Sequence, residues 1–531
     1  MLGGELSFHL LNVLLLTLGI APLVLWRYRR AVLAGMQGGA ERALPVAAPG
    51  AADPPASPIT VDPLRWEARL RRRLFIALLG ATFVSALPLS ALFFGLAGEP
   101  ATPVHLYLKA GVLASAAVPM FAVLAAIPFW RALALWLATL AALAALGVAL
   151  SMLQRPFYGK APSLDQAMNF VVFFQFAAVT LWLPMLLGLA TGARRVRGVA
   201  PITFAGLLVF GLAPLLGLRL TQWLTGTQSG ASWVLSGPGL YTGFIVVALP
   251  MGLLAWWRLK ALARRYEAKR FSDAQLLAGT WWLLIVASEA VERISVHPGV
   301  GPLLLVLAVA TLSAAMFPPL LAAGLKRAQR GLERPPPRTL LLLRVFGDTA
   351  RTEALFDRIA SRWRWFGPLT MIAAPDVVAR TVDPGDFLQF ASGHIGASFV
   401  NTQQDLVQRL ATLDLAPDPD GRWRVNEFCC RDSSWQATVV QLIERADAVV
   451  MDLRGFNAQR AGCAFELGEL ARRRRPQQVV LLVDASTDKA RLEAWLGPPD
   501  ARPTLIELPK GDPRAVDRAF DGLLRAAGVG G

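Results

Sequence analysis

Two hydrophobic patterns divide the chain. Up to about residue 330, apolar positions fall in long unbroken runs: 7–26, 74–97, 104–127, 132–153, 168–190, 202–218, 240–257, 275–291 and 300–325. Each suits a helix of about 20 residues crossing about 30 Å of hydrocarbon, so the pattern predicts nine transmembrane helices. Beyond residue 338 the runs shorten. TLLLLRVF (339–346), LTMIAA (369–374), RWRVNEFCC (422–430), ADAVVMDL (446–453), QVVLLVD (478–484) and TLIEL (504–508) read as strands. Between them 352–366, 386–395, 401–413, 436–445, 463–474 and 487–496 read as helices, with one more at the C-terminus. Strands alternating with helices of this length predict an α/β domain with a doubly wound, mainly parallel, flavodoxin-like sheet.

The expected organisation is therefore a polytopic membrane domain over 1–330, a proline-rich spacer over 331–338 and an α/β domain over 339–531. Residues 27–73, between the first two spans, read as a linker. Its middle, 43–63, is rich in Ala, Pro and Gly, and LRWEARLRRR (64–73) is a basic helix suited to an anionic lipid surface. The opening MLGGEL carries no Lys or Arg, unlike the leading segment of a secretory signal.

Charge sharpens this division. Residues 1–339 hold 29 Lys/Arg against 12 Asp/Glu, and residues 340–531 hold 24 against 25. The globular part has no basic excess for phosphate backbones, which argues against a nucleic-acid partner. In the membrane part the cations follow loop parity: nine arginines lie between the first two spans, and Arg131, Arg194, Arg195, Arg197, the 258–270 cluster and Lys326 to Arg338 fall on the same side. The positive-inside rule then predicts an outer N-terminus and a cytoplasmic C-terminal domain in an inner (plasma) membrane. The three cysteines, Cys429, Cys430 and Cys463, lack metal-site spacing and read as reduced thiols. Among intramembrane polar residues, Glu289 and Glu292 read as water-exposed caps near the outer end of their span, with Arg293 at i+4 from Glu289, and Lys109 reads as snorkelling. No Asp/Glu/His chain reads as a proton relay.

Open α/β sheets bind ligands beyond the carboxyl ends of their strands. That rule selects RVFGDTAR (344–351), CRDSSW (430–435) and DLRGFNAQRAG (452–462). After the third loop, Glu466 falls in the first turn expected for the next helix. There it serves either the helix dipole or chemistry in the crevice. Asp452 is a candidate for ribose hydroxyls. Arg344, Arg351 and Arg454 are candidates for a pyrophosphate through their forked donors. Trp435 or Phe346 could stack on a base, with core packing the alternative for Phe346. Asp348 reads as a helix cap or a contact in the same loop.

VFGDTAR (345–351) and DAVVMDLRGFNAQRAGCAFELGEL (447–470) resemble the Toll/interleukin-1 receptor (TIR) domain, in its segment after the first strand and in a later strand, loop and helix. Cys463, Glu466 and Leu467 fall on that family's Cys-x-x-Glu-Leu pattern, with Gly462 where a tryptophan usually stands. The likeness covers roughly 340–485, though 375–432 is longer than usual and a strand at 504–508 exceeds the family's five. AFELGEL (464–470) also resembles nucleoside deoxyribosyltransferases and related nucleotide-sensing Rossmann-like domains. Both likenesses imply chemistry at an N-glycosidic bond, with Glu466 as the key carboxylate. NAD or a related nucleotide is then the implied substrate or ligand, and no metal or further cofactor is called for. Three readings remain open: a membrane-anchored NAD glycohydrolase, a non-catalytic nucleotide-sensing or self-assembling module, and a transporter with a regulatory domain.

Overall fold

The computed structural model describes residues 26–34, 43–46, 62–97, 103–153 (except 126 and 128), 246, 249–344 (except 298), 349–373, 390, 399–496 (except 432 and 458), 502–509 and 515–529. They form two compact units, one built mainly from 72–328 and the other from 28–71, 329–373 and the described residues from 399 onward.

The first unit is helical: α1 (Pro63–Ala97, entering this unit at residue 72), α2 (Pro103–Ala114), α3 (Ala117–Leu124), α4 (Phe129–Leu153), α5 (Leu249–Glu267), α6 (Asp273–Val296) and α7 (Val300–Gln329). Among the described residues, five helices are long and apolar enough to cross a membrane: Pro63–Leu96, Pro103–Val123, Phe129–Ala149, Asp273–Ile294 and Val300–Gln329. These mark a membrane protein in contact with lipid. The apolar runs at 7–26, 168–190 and 202–218 lie wholly or almost wholly outside the described residues, and 240–257 is described at 246 and from 249 onward.

Small and polar side chains join these helices. A Cβ on Gly324 would stand 2.9 Å from the Ala77 Cβ, so the glycine is what lets α7 approach α1. Two to three turns farther along the same pair of helices, the buried Ser313 hydroxyl donates to Ser85 O at 2.7 Å. Trp282 stacks on Phe317 at 5.5 Å between α6 and α7, and Ser272 and Gln275 close a capping box at the start of α6. Two expectations are overturned here, the water-exposed Glu289 cap and the snorkelling Lys109. Glu289 is buried rather than a water-exposed cap, and it receives Lys109 Nζ from α2 at 3.1 Å, with that lysine buried too. Two opposite charges can stay in an apolar bundle only by meeting each other.

The second unit carries the sheet: β1 (Leu340–Arg344), β2 (Leu369–Ala373), β3 (Phe399–Val400), β4 (Val425–Cys430), β5 (Ala448–Asp452), β6 (Val479–Val483) and β7 (Thr504–Glu507). The order is β3-β4-β2-β1-β5-β6-β7, every pairing parallel, as the alternating pattern predicts. Without the β3–β4 edge the order is the flavodoxin-like 2-1-3-4-5. The helices are α8 (Thr349–Trp363), α9 (Gln403–Ala411), α10 (Trp435–Arg445), α11 (Ala461–Arg473), α12 (Lys489–Glu493) and α13 (Ala515–Ala526). The sheet has seven strands rather than the expected six, because two-residue β3 is too short for a periodicity signal. Most of the helix expected over 386–395 lies outside the described residues.

A cluster of rings and guanidinium groups closes the amino end of this sheet. Arg334 lies 4.5 Å over Trp423 and 5.7 Å over Trp66, and donates to Gly421 O at 2.7 Å. Burial lowers the Arg334 pKa, partly offset by nearby Asp420. Trp66 also meets Phe366 at 6.4 Å. A Cβ on Gly367 would stand 2.0 Å from Arg338 O, so only glycine fits that crossing. Residues 27–73 are thus not linker throughout. Residues 26–34 are helical with Tyr28 and Val32 buried, and the start of α1 buries Trp66 and Leu70 while Arg65 and Arg69 stay exposed. Between them, Leu44 donates its N–H to Ser433 O at 2.9 Å and packs on the sheet core.

Candidate functional site

The chain leaves β1 toward β2 on one side and later crosses from β4 to β5 on the other. The direction of winding reverses between β1 and β5, the position beside which open α/β sheets take their ligands. Arg344 and Asp452 are partners in the register there, each the last residue of its strand. Two of the three loops that the carboxyl-end rule selects, 344–351 and 452–462, follow these two strands.

Asp452 and Arg454 meet each other. Arg454 donates Nε to Asp452 Oδ1 at 2.8 Å, Nη2 to Oδ2 at 2.7 Å, and its own backbone N–H to Oδ1 at 3.2 Å. Both side chains are buried, so this fork-on-carboxylate clasp is charge-assisted and shielded from water. The clasp engages the donors considered for a pyrophosphate and the oxygens considered for ribose. Next, Gly455 adopts φ +77°, a left-handed turn that glycine favours, and fully buried Phe456 follows.

The neighbouring loop pins this turn. Thr487 Oγ1 donates to Leu453 O at 3.0 Å, Asp488 N–H donates to Phe456 O at 3.0 Å, and Leu453 N–H donates to Leu482 O at 2.8 Å. Asp484 accepts from Ser486 N–H at 2.9 Å and from the Ser486 hydroxyl, which shapes the 484–488 turn. Sequence reasoning missed Thr487 and Asp488. The available signal was DASTD, turn-forming residues directly after a strand.

α11 starts at Ala461, two residues before the expected start, because Ala461 and Gly462 adopt helical conformation. Glu466 therefore stands in the second turn, where the helix dipole gives an acid little support. It lies on the buried face with Cys463, Leu467 and Leu470 and is only 2% exposed. Sheltering a carboxylate costs free energy that a surface acid avoids. Beside it in sequence, Phe465 meets Trp435 edge-on at 5.4 Å, and the indole lies 3.7 Å from where a Gly462 Cβ would stand. Trp435 is thus a wall over the start of α11.

Phe346 and Asp348 lie outside the described residues, and only the backbone is described for Arg344 and Arg351, with Arg351 in α8. Cys429, Cys430 and Cys463 are buried thiols, none of them in a disulfide. Burial pushes the Cys430 thiol up to about 12, against hydrogen bonds with Thr438 and Ser434, which leaves it a poor nucleophile. Farther along α11, burial raises the Glu469 pKa, but hydrogen bonds from Arg473 and Arg472 outweigh it and hold the carboxyl below its usual range. Arg473 Nε reaches Glu469 at 2.6 Å, and the same guanidinium binds Glu444 on α10. Among the described residues, no grouping of three or more His, Cys, Asp or Glu could hold a metal ion. No family model matches the chain, and comparison with curated proteins and with solved structures gave no match.

Proposed function

We propose that the α/β unit is a TIR-like nucleotide-binding module of a membrane protein, taking NAD or a related nucleotide at the β1/β5 crevice and cleaving its N-glycosidic bond. The observation that carries this reading is a sheltered carboxylate, Glu466, on the helix that follows the switch-point loop. In the reaction, the bond between ribose and nicotinamide breaks and its electron pair leaves with the ring, neutralising the pyridinium. Positive charge grows on the ribose, where a carboxylate stabilises it. Water then delivers hydroxide to the anomeric carbon and its proton passes to the carboxylate.

The Asp452–Arg454 clasp holds the loop in shape rather than gripping phosphate, which leaves Arg344 and Arg351 as the phosphate candidates. Trp435 closes the side toward α11. The basic-loop count supports a cytoplasmic position for this unit, with the N-terminus outside and nine spans in all.

The test uses the full chain in nanodiscs, because residues 28–71 and 329–338 belong to the same compact unit as the sheet. Nicotinamide release from NAD is expected from the parent and not from Glu466→Gln, with binding retained. Binding without release in either protein would replace hydrolysis by nucleotide sensing or ligand-driven self-assembly. Absence of both binding and release in the parent would remove the nucleotide reading.

A further inference from the structure

Four ionisable side chains meet inside the helical unit, and nothing in the proposed nucleotide chemistry uses them. Lys109 on α2 pairs with Glu289 on α6 at 3.1 Å, both almost fully buried. One turn on, Arg293 Nη2 pairs with Glu292 at 2.7 Å. The Phe93 ring of α1 joins the two pairs, with Lys109 Nζ 4.8 Å and the Arg293 guanidinium 4.3 Å from its centroid. Charged groups in an apolar bundle are costly, and they mark function more often than stability.

The two carboxylates differ. Glu289 is sealed in, whereas the Glu292 side chain is 32% exposed. Glu292 Oε2 and Arg293 Nε are nevertheless buried atoms that make no hydrogen bond. Arg293 is also i+4 from Glu289, the spacing at which side chains on one helix pair. It can therefore exchange its present partner for Glu289.

We propose that Glu292 is a proton-binding site whose occupancy controls the Lys109–Glu289 link between α2 and α6. A proton from water adds to the Glu292 carboxylate, and the cluster passes from neutral to one positive charge. Arg293, released, moves to Glu289 and displaces Lys109, whose long side chain then extends to water from near the end of its span, so the cross-helix pair opens. A proton is the ligand that needs no cavity. Among the described residues, the other titratable groups nearby are His105, one turn before Lys109 on α2, and His297 at the end of α6. The stretches of α1 and α7 packed here, 74–97 and 300–325, carry no charged residue.

The test places spin labels at Tyr107→Cys and Val296→Cys, both exposed positions, in the full chain in nanodiscs. The native cysteines are buried and label poorly. The label separation is expected to shift between two populations in a one-proton titration. Glu292→Gln is expected to hold the acid population at every pH, and Glu292→Asp to restore the titration. An infrared difference spectrum of the otherwise unsubstituted chain should show one carboxylate becoming protonated over the same range. A separation that ignores pH, a Glu292→Gln chain that titrates like the parent, or no carboxyl signal would overturn the proposal.

Discussion

Replacing Trp66 tests whether the start of α1 belongs to the α/β unit. The indole is 2% exposed, packed against Phe366 and lying under Arg334. Truncating a buried tryptophan to alanine costs about 3–5 kcal/mol, through lost transfer energy and the cavity left behind. Loss of the Arg334 stack adds roughly 0.5–1 kcal/mol. Trp66→Phe is expected to behave differently. Trp66 Nε1 is buried without a hydrogen bond, so phenylalanine removes an unsatisfied donor while keeping most of the apolar contact. That gain offsets the smaller cavity, and the net cost is about 1 kcal/mol or less. For a unit of this size each kcal/mol shifts the midpoint by about 2–4 °C. Thermal unfolding of the full chain in nanodiscs, followed by near-ultraviolet circular dichroism, therefore separates the variants by roughly 5–20 °C. Hydrogen exchange over 63–71 should rise in Trp66→Ala alone. Equal midpoints for the two variants, or an alanine variant indistinguishable from the parent, would refute the packing argument and return 64–73 to a purely lipid-facing role.

Two further outcomes follow from the ion pairs. Arg454→Met leaves the Asp452 carboxylate buried without its fork, and should destabilise the α/β unit by about 3–5 kcal/mol, measured by the same melts. Full stability in that variant would release Arg454 for a ligand role. Glu469 has a pKa below its ordinary value of 4.5, so its contribution to stability is present above that value and is lost as pH falls through the folded-state value. Glu469→Gln should flatten the acid limb of the stability profile relative to the parent. Parallel acid limbs would remove the Glu469–Arg473 pair as its cause.

Much of the architecture is written locally. Leu340 to Leu343 and Val449 to Met451 are continuous apolar runs because their strands are covered on both faces, and such runs separated by amphipathic helices spell out a parallel sheet. The long runs in α1, α4, α6 and α7 announce membrane crossing in the same direct way. The carboxyl-end rule then reached the loops of Arg344 and Asp452 without knowledge of strand order. What lay beyond the sequence depends on partners far along the chain. Lys109 and Glu289 stand 180 residues apart, and each alone reads as an interfacial charge; only helix packing makes them a buried pair. Trp66 meets Phe366 and Arg334 across still longer gaps, and Thr487 reaches Leu453 from the turn after the next strand. Periodicity reports which face of an element is buried, because burial on one face repeats along that element. It carries no record of which other element supplies the opposing charge or ring, since that choice is made by packing between segments whose local patterns are independent.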